Sequence, residues 1–430
     1  MSLLDDVSIV VTPNGYKAGE LYAVIPSNGD ADMDVTRATD ATRVDENGLI
    51  EDVLSNVPRI DYTGGGCPHI LAEPQRTNLV IESEDFEDAS YGEYLVSYTP
   101  NFATSPSGVS NATKLTSSGV YGNVNLNFTK ATSAITYTQS IFIKPNNYTL
   151  VNFISYGASS GNRSQVTFDL SNGTISSAAS STGAFSNASA TITSYTNDYY
   201  KISLTYTTDS SAQVRPTISF PVEMDSTNYV IIWGMTLEEG SYETSYIPTS
   251  GSTVTRNQDI FTRDGIGSLI NSTEGVLFAE FKRVEGNSAT SAISLNDGTS
   301  SNGVSMYFFG VSNFYVDVFS SSGTITLNGG IVNTSDFIKV AFKYKNGDSA
   351  IWINGIEVTT NSGAISLVGL NQLLFAYING TTPFFGKVKQ LQVYDTALTD
   401  EQLLQLTGES GTDFYESYAE MASALTYTIQ

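Results

Sequence analysis

Apolar positions along this chain recur every second residue in short runs, and almost nowhere at helical spacing. Between 81 and 256 such runs fall at 134–144, 151–156, 165–170, 190–195, 200–207, 216–220 and 229–237. Alternation of this kind puts one set of side chains on a core and their neighbours on the opposite face of a sheet. Ser171-Asn172-Gly173, Asn197-Asp198 and Glu239-Gly240 supply the turns between them. The pattern predicts a β-sandwich over 81–256. A second is predicted over 257–407, with strands at 275–282, 292–296, 304–309, 313–319, 324–327, 337–344, 349–353 and 387–394. Lys345-Asn346-Gly347-Asp348 and Ile353-Asn354-Gly355 are hairpin turns in the right places.

The ends of the chain read differently. Residues 7–12 and 17–25 are short strands closed by Pro13-Asn14-Gly15 and Pro26-Ser27-Asn28-Gly29. The stretch 43–80 is too polar for a core element and is full of punctuation: Asn47-Gly48, Gly64-Gly65-Gly66, Pro58, Pro68 and Pro74. Residues 1–80 are therefore expected to form an extended N-terminal connector module. Near the other end, Thr399 with Gln402 three residues on forms a capping box, and Leu403 and Leu404 would pack the short helix it starts. Phe414, Tyr418, Met421 and Leu425 in the tail 408–430 repeat at helical spacing, which predicts an amphipathic helix that either packs back on the second sandwich or joins copies in an oligomer. The fold class predicted is all-β: two jelly-roll β-sandwiches after an extended N-terminal module, with a short C-terminal helix.

Composition narrows the partners. Only 15% of the 430 residues are charged, so Ser, Thr, Asn, Gly and Tyr must cover much of the surface. The formal net charge of −24 repels phosphate backbones and anionic bilayers, which argues against nucleic acid and membrane insertion. A neutral ligand or another protein is the expected partner. The N-terminus has no basic region and only a short apolar run, so no secretory signal is expected, and no stretch is long enough for a membrane helix.

Candidate chemistry is sparse. Cys67 is the only cysteine and His69 the only histidine, which excludes an intrachain disulfide and cysteine-rich metal sites. Their closeness invites a nucleophile–base pair. Without an identifiable oxyanion donor or orienting partner, a turn carrying a buried small hydrophobe is the simpler expectation. Glu280 has no acidic neighbour on its face, as a retaining glycosidase would require, so no enzyme is expected. Calcium could use Asn296-Asp297-Gly298 or Asp348, although both sites are also ordinary turn chemistry. Trp233 sits in an alternating run and should be core, whereas Tyr91, Tyr94 and Tyr98 are the better candidates for exposed aromatics. No catalytic, cofactor-binding or metal-ligating residue is assigned.

Several ordered motifs carry resemblances. Leu21-Tyr22-Ala23-Val24-Ile25-Pro26, Asp34-Val35-Thr36-Arg37, Ala41-Thr42-Arg43-Val44, Gly48-Leu49-Ile50-Glu51, Asn56-Val57-Pro58-Arg59-Ile60-Asp61-Tyr62 and Glu73-Pro74-Gln75-Arg76-Thr77-Asn78-Leu79 resemble a module of tailed-phage head-fibre, tail-fibre and spike proteins, over residues 17–86. Ser140-Ile141-Phe142-Ile143-Lys144, Phe168-Asp169-Leu170, Tyr199-Tyr200-Lys201-Ile202 and the run from Ile231 to Gly240 resemble carbohydrate-binding-module-like jelly rolls. Phe337 to Tyr344, Ile351-Trp352-Ile353-Asn354-Gly355, Gly386-Lys387-Val388 and Val393 to Leu403 resemble laminin-G-like or concanavalin-A-like domains. The resemblance implies a virion surface protein anchored through residues 1–80, commonly a homotrimer, which favours an oligomer contact for the tail 408–430, with capsid or tail proteins and host-surface glycans as partners. The expected function is adhesion to such glycans; a purely structural decoration protein is the alternative, and a polysaccharide-degrading enzyme the least favoured.

Overall fold

The computed structural model describes residues 3–225, 227–284, 286–287 and 289–408. The helix anticipated at Phe414, Tyr418, Met421 and Leu425 lies outside the described residues. The fold is all-β, and the chain forms two compact units. The first takes residues 1–40, 53–74 and 257–430, and the second takes 41–52 and 75–256.

The N-terminal residues are shared between the units, where a separate module 1–80 was expected. Val7–Lys17 pairs with Gly386–Tyr394 near the far end of the chain, and Met33–Thr36 pairs with Ile260–Arg263. One or two isolated strands cannot bury their apolar faces alone, so these complete a sandwich built by residues more than 200 positions away. Arg76–Asn78 instead pairs with Val254–Arg256 in the second unit.

In the first unit a continuous antiparallel sheet folds over one core. Its front half runs in the order Gly323–Ile331, Asn313–Ser320, Gly303–Phe309, Ser291–Asn296, Gln372–Leu374, Ile260–Arg263 and Met33–Thr36. Glu20–Ile25, Val7–Lys17, Gly386–Tyr394, Glu274–Arg283, Ile338–Lys345, Ser349–Ile353 and Ile356–Asn361 make the back half. Ile9, Leu277, Phe281, Val304, Phe314, Val340 and Leu391 meet in the core between the halves. The outer face of the back half is covered by the helix Asp400–Thr407, whose Leu403 and Leu406 pack on Phe278, Ala341 and Trp352. Both hydrogen bonds of the predicted capping box are present. Leu404, however, turns to solvent, because helical geometry brings Leu406 rather than Leu404 onto the face of Leu403.

Buried ions tie the segments of this unit together. Arg37 and Arg59, both fully buried, converge on Asp259. Arg37 Nη1 lies 2.9 Å from Asp259 Oδ1, while Arg59 contacts Asp259 and reaches Glu73 Oε2 at 2.6 Å. Glu73 N donates to Asp259 Oδ2 at 2.9 Å, and Arg37 also donates to the carbonyls of Thr39, Val53, Leu54 and Val57. Three stretches of the fibre-like motif thus form one fully paired cluster, which is the condition for burying charge.

The second unit packs a six-stranded sheet on a seven-stranded one, with Leu115, Phe153, Phe168, Ile202 and Leu237 between them. Trp233 is core, as expected, but on the outer side of the six-stranded sheet. There it packs with Phe142 and Tyr246 beside Val44 and Ile50 of the short hairpin Ala41–Val44 and Ile50–Val53. A bulge at Gly234 (φ 65°) lets Ile232 and Met235 both point inward while Trp233 points out.

Candidate functional site

The outer face of the front half-sheet in the first unit carries the most distinctive surface. In Gly303–Phe309, Val304, Met306 and Phe308 enter the core, so Tyr307 and Phe309 point outward. In Asn313–Ser320, Phe314, Val316 and Val318 enter it, so Tyr315, Asp317 and Phe319 point outward. Antiparallel register sets Tyr307 opposite Tyr315 and Ser305 opposite Asp317.

Tyr377 joins them from a hairpin. Residues 376–383 close through the Ala376–Pro383 bridge and the bond from Tyr377 N to Thr382 O (2.9 Å). Buried polar side chains staple this hairpin across the sheet. Ser294 Oγ donates to Ala376 O (2.6 Å), Ile378 N donates to Ser305 Oγ (3.1 Å) and Asn296 Nδ2 donates to Ile378 O (3.1 Å). These bonds explain why three polar groups are tolerated where they are almost wholly buried.

The result is a row of five rings: Phe309, Tyr315, Tyr307, Tyr377 and Phe319. Successive centroids are 6.2, 5.7, 5.4 and 6.0 Å apart. Tyr307 and Tyr315 lie nearly parallel, and Tyr377 stands perpendicular to both Tyr307 and Phe319. Asp317 sits at the centre, accepting from Thr326 Oγ1 at 2.6 Å and from the Tyr377 hydroxyl. Burial, then the Asp317 carboxylate, hold the Tyr307 hydroxyl well above the ordinary tyrosine range; burial and the bond to Asp317 do the same at Tyr377. Both therefore remain protonated hydrogen-bond donors. Phe309 is 55% exposed, and the turn beyond it is fixed from below by the buried Arg283, whose Nη1 donates to Gly310 O at 2.6 Å.

The residues singled out from sequence lie elsewhere. Tyr94 is exposed, but Tyr91 and Tyr98 are half-buried against the core of the second unit, and the Tyr91 hydroxyl donates to Glu82 O (2.7 Å). Cys67 is exposed rather than buried, because the Gly64–Gly66 turn carries it into solvent, whereas His69 enters the sheet. Asp61 lies opposite His69, with Oδ1 3.0 Å from Nε2. This is the orienting partner invisible in sequence, yet the nucleophile and base face different environments. Burial pulls His69 below its usual range, outweighing the lift from Asp61.

Glu280 pairs with Lys389 (3.1 Å) and Gln390 (2.9 Å), and its cross-strand neighbours are Lys339 and Gln390, not acids. Asp297 is occupied by Thr299 N and Oγ1, and Asp348 by Lys343. Among the described residues no group of three or more acids, histidines or cysteines could hold a metal.

Residues 277–404, which contain the aromatic row, match the model of the concanavalin A-like lectin/glucanases superfamily. No curated protein matches the chain. Similar solved structures include the Ruminococcus gnavus IT-sialidase CBM40 bound to α2,3-sialyllactose (22% identity, 32% of this chain and 84% of that one, TM-score 0.29). Domain 4 of AbnA, an arabinanase of Geobacillus stearothermophilus, in complex with arabinotriose, is 19% identical over 39% of this chain and 82% of that one (TM-score 0.29). A heptameric SAP-like pentraxin from Limulus polyphemus is 16% identical over 33% of this chain and 72% of that one (TM-score 0.28).

Proposed function

We propose that this chain is a non-enzymatic virion surface subunit, a fibre, spike or decoration protein, that adheres to host-surface glycans through the front face of its first unit. The observation that carries the proposal is the five-ring row around Asp317. Aromatic faces suit the C–H face of a pyranose, and the tyrosine hydroxyls beside the nearly buried Asp317 suit its hydroxyls. The match of residues 277–404 to a lectin-containing superfamily supports the same reading. The virion role rests on the motifs within residues 17–86. Self-association as a trimer and weak binding multiplied over copies would complete the adhesin.

The test is binding of the full chain to a glycan array and to whole bacterial cells, with and without calcium, beside light scattering for copy number. Saturable binding competed by free sugar supports adhesion. A folded oligomer that binds no glycan contradicts it and leaves a decoration protein.

A further inference from the structure

The same aromatic row carries a statement about which glycans can bind. Residues 284–338 contain no Lys, Arg or His, nor do residues 346–386 or 390–430. These segments include every strand that carries the row, and the hairpin of Tyr377. The cations that flank these segments are buried or paired with other groups. On the front half-sheet only Arg263 is cationic. It donates to the carbonyls of Asp30 and Gly29, and the strands Ser291–Asn296 and Gln372–Leu374 separate it from the row. Arg283 is 1% exposed, with its donors on the carbonyls of Gly310, Val311 and Ala289. Lys282 donates to Ser335 O; Lys343 pairs with Asp348 and Asp400, Lys345 with Glu274, and Lys389 with Glu280.

What the row does offer is negative. Asp317 stands at its centre, and the donors around it are neutral hydroxyls. Sites for carboxylate, sulfate or phosphate groups depend on Arg, Lys or oriented backbone N–H groups, which here would have to overcome a fixed carboxylate. From the turn at Gly310 to Phe319 the rings span the length of the two strands, stepping across them once between Tyr315 and Tyr307, as a sequence of contacts for consecutive sugars rather than a pocket for one terminal residue.

Resting on the glycan-binding reading, we infer that this face selects an extended, uncharged glycan and rejects sialylated, uronate-rich and sulfated chains. The full chain is titrated with neutral hexose and N-acetylhexosamine oligomers beside oligouronates and sialyllactose. Neutral oligomers should bind at least ten-fold more tightly, and the preference should shrink at high salt as repulsion is screened. Thr324 is exposed and faces Phe319 across the strands. A Thr324→Arg variant, with an unchanged melting profile, should narrow the gap at least three-fold by recruiting acidic chains.

Equal or tighter binding of acidic oligomers by the unaltered chain, lost on Tyr377→Ala, would overturn the selectivity while leaving the site intact. Failure of all the oligomers to bind, or binding indifferent to Tyr377→Ala in a folded variant, would overturn the glycan-binding reading itself.

Discussion

Replacing Asp259 by Asn should destabilise the first unit selectively. The side chain keeps its shape but loses its charge, and Arg37 and Arg59 are both 0% exposed around it. Arg59 retains Glu73, while Arg37 is left with the carbonyls of Thr39, Val53, Leu54 and Val57. One guanidinium charge is then uncompensated in the interior. Removing one partner of a buried pair costs about 3–5 kcal/mol, a large part of the ~5–15 kcal/mol typical of a domain. The two tryptophans make the effect easy to read, since Trp352 lies in the first unit and Trp233 in the second. In a Trp233→Phe background, urea denaturation followed by fluorescence reports the first unit alone. Its midpoint should fall by roughly 1–5 M at an m value of ~1–3 kcal/mol/M. The half-exposed Lys345–Glu274 pair is the control, and Glu274→Gln should change stability by less than about 1 kcal/mol. A loss below about 1 kcal/mol for Asp259→Asn would refute the idea that this cluster binds the N-terminal segments into the sandwich.

Other consequences follow from single sites. His69 is held below its unfolded value, so the unfolded chain takes up its proton first. Stability of the first unit should be complete above pH ~6.5 and fall as pH drops through that value, with His69→Gln abolishing this step. Asp61 is also lowered, chiefly by its bond to His69 against the opposing effect of burial, so a second loss should begin below pH ~4 in the same titration. Leu95 (φ 52°) and Tyr121 (φ 64°), both exposed, hold a left-handed backbone that bulky residues disfavour; Leu95→Asn and Tyr121→Asn should each stabilise the second unit by roughly 0.5–1 kcal/mol in thermal melts. Thr399→Ala removes the helix cap and should cost about 1 kcal/mol, seen as faster amide exchange over Asp400–Thr407.

The strands were most legible where one face is apolar and the other polar. The strand Tyr200–Thr207, with Lys201, Ser203 and Thr205 opposite Ile202, Leu204 and Tyr206, has the bounds that alternation predicts. Thr174–Thr182 escaped detection because its Ser, Thr and Ala side chains are mostly exposed, leaving no alternation to read, and only the second half of Ser186–Ser194 was anticipated, as 190–195. The pairing of Val7–Lys17 with Gly386–Tyr394 is invisible locally, since register is fixed by a core assembled from distant residues.

The candidate site was missed for a related reason. Outward Tyr307, Phe309, Tyr315 and Phe319 alternate with inward aliphatic and aromatic residues, so both faces of two strands are apolar while only one adjoins the core. That excess on the second face was the available signal. Tyr377 gave none, because serine and asparagine bonds across the sheet, not periodicity, bring its hairpin into the row.

The central claim is tested most directly by titrating the full chain and its Tyr377→Ala variant with the tightest-binding neutral oligosaccharide from the array. The account predicts at least a ten-fold loss of affinity, about 1.4 kcal/mol, with both proteins melting alike. Unchanged affinity in a folded variant would place the ligand elsewhere and contradict the account.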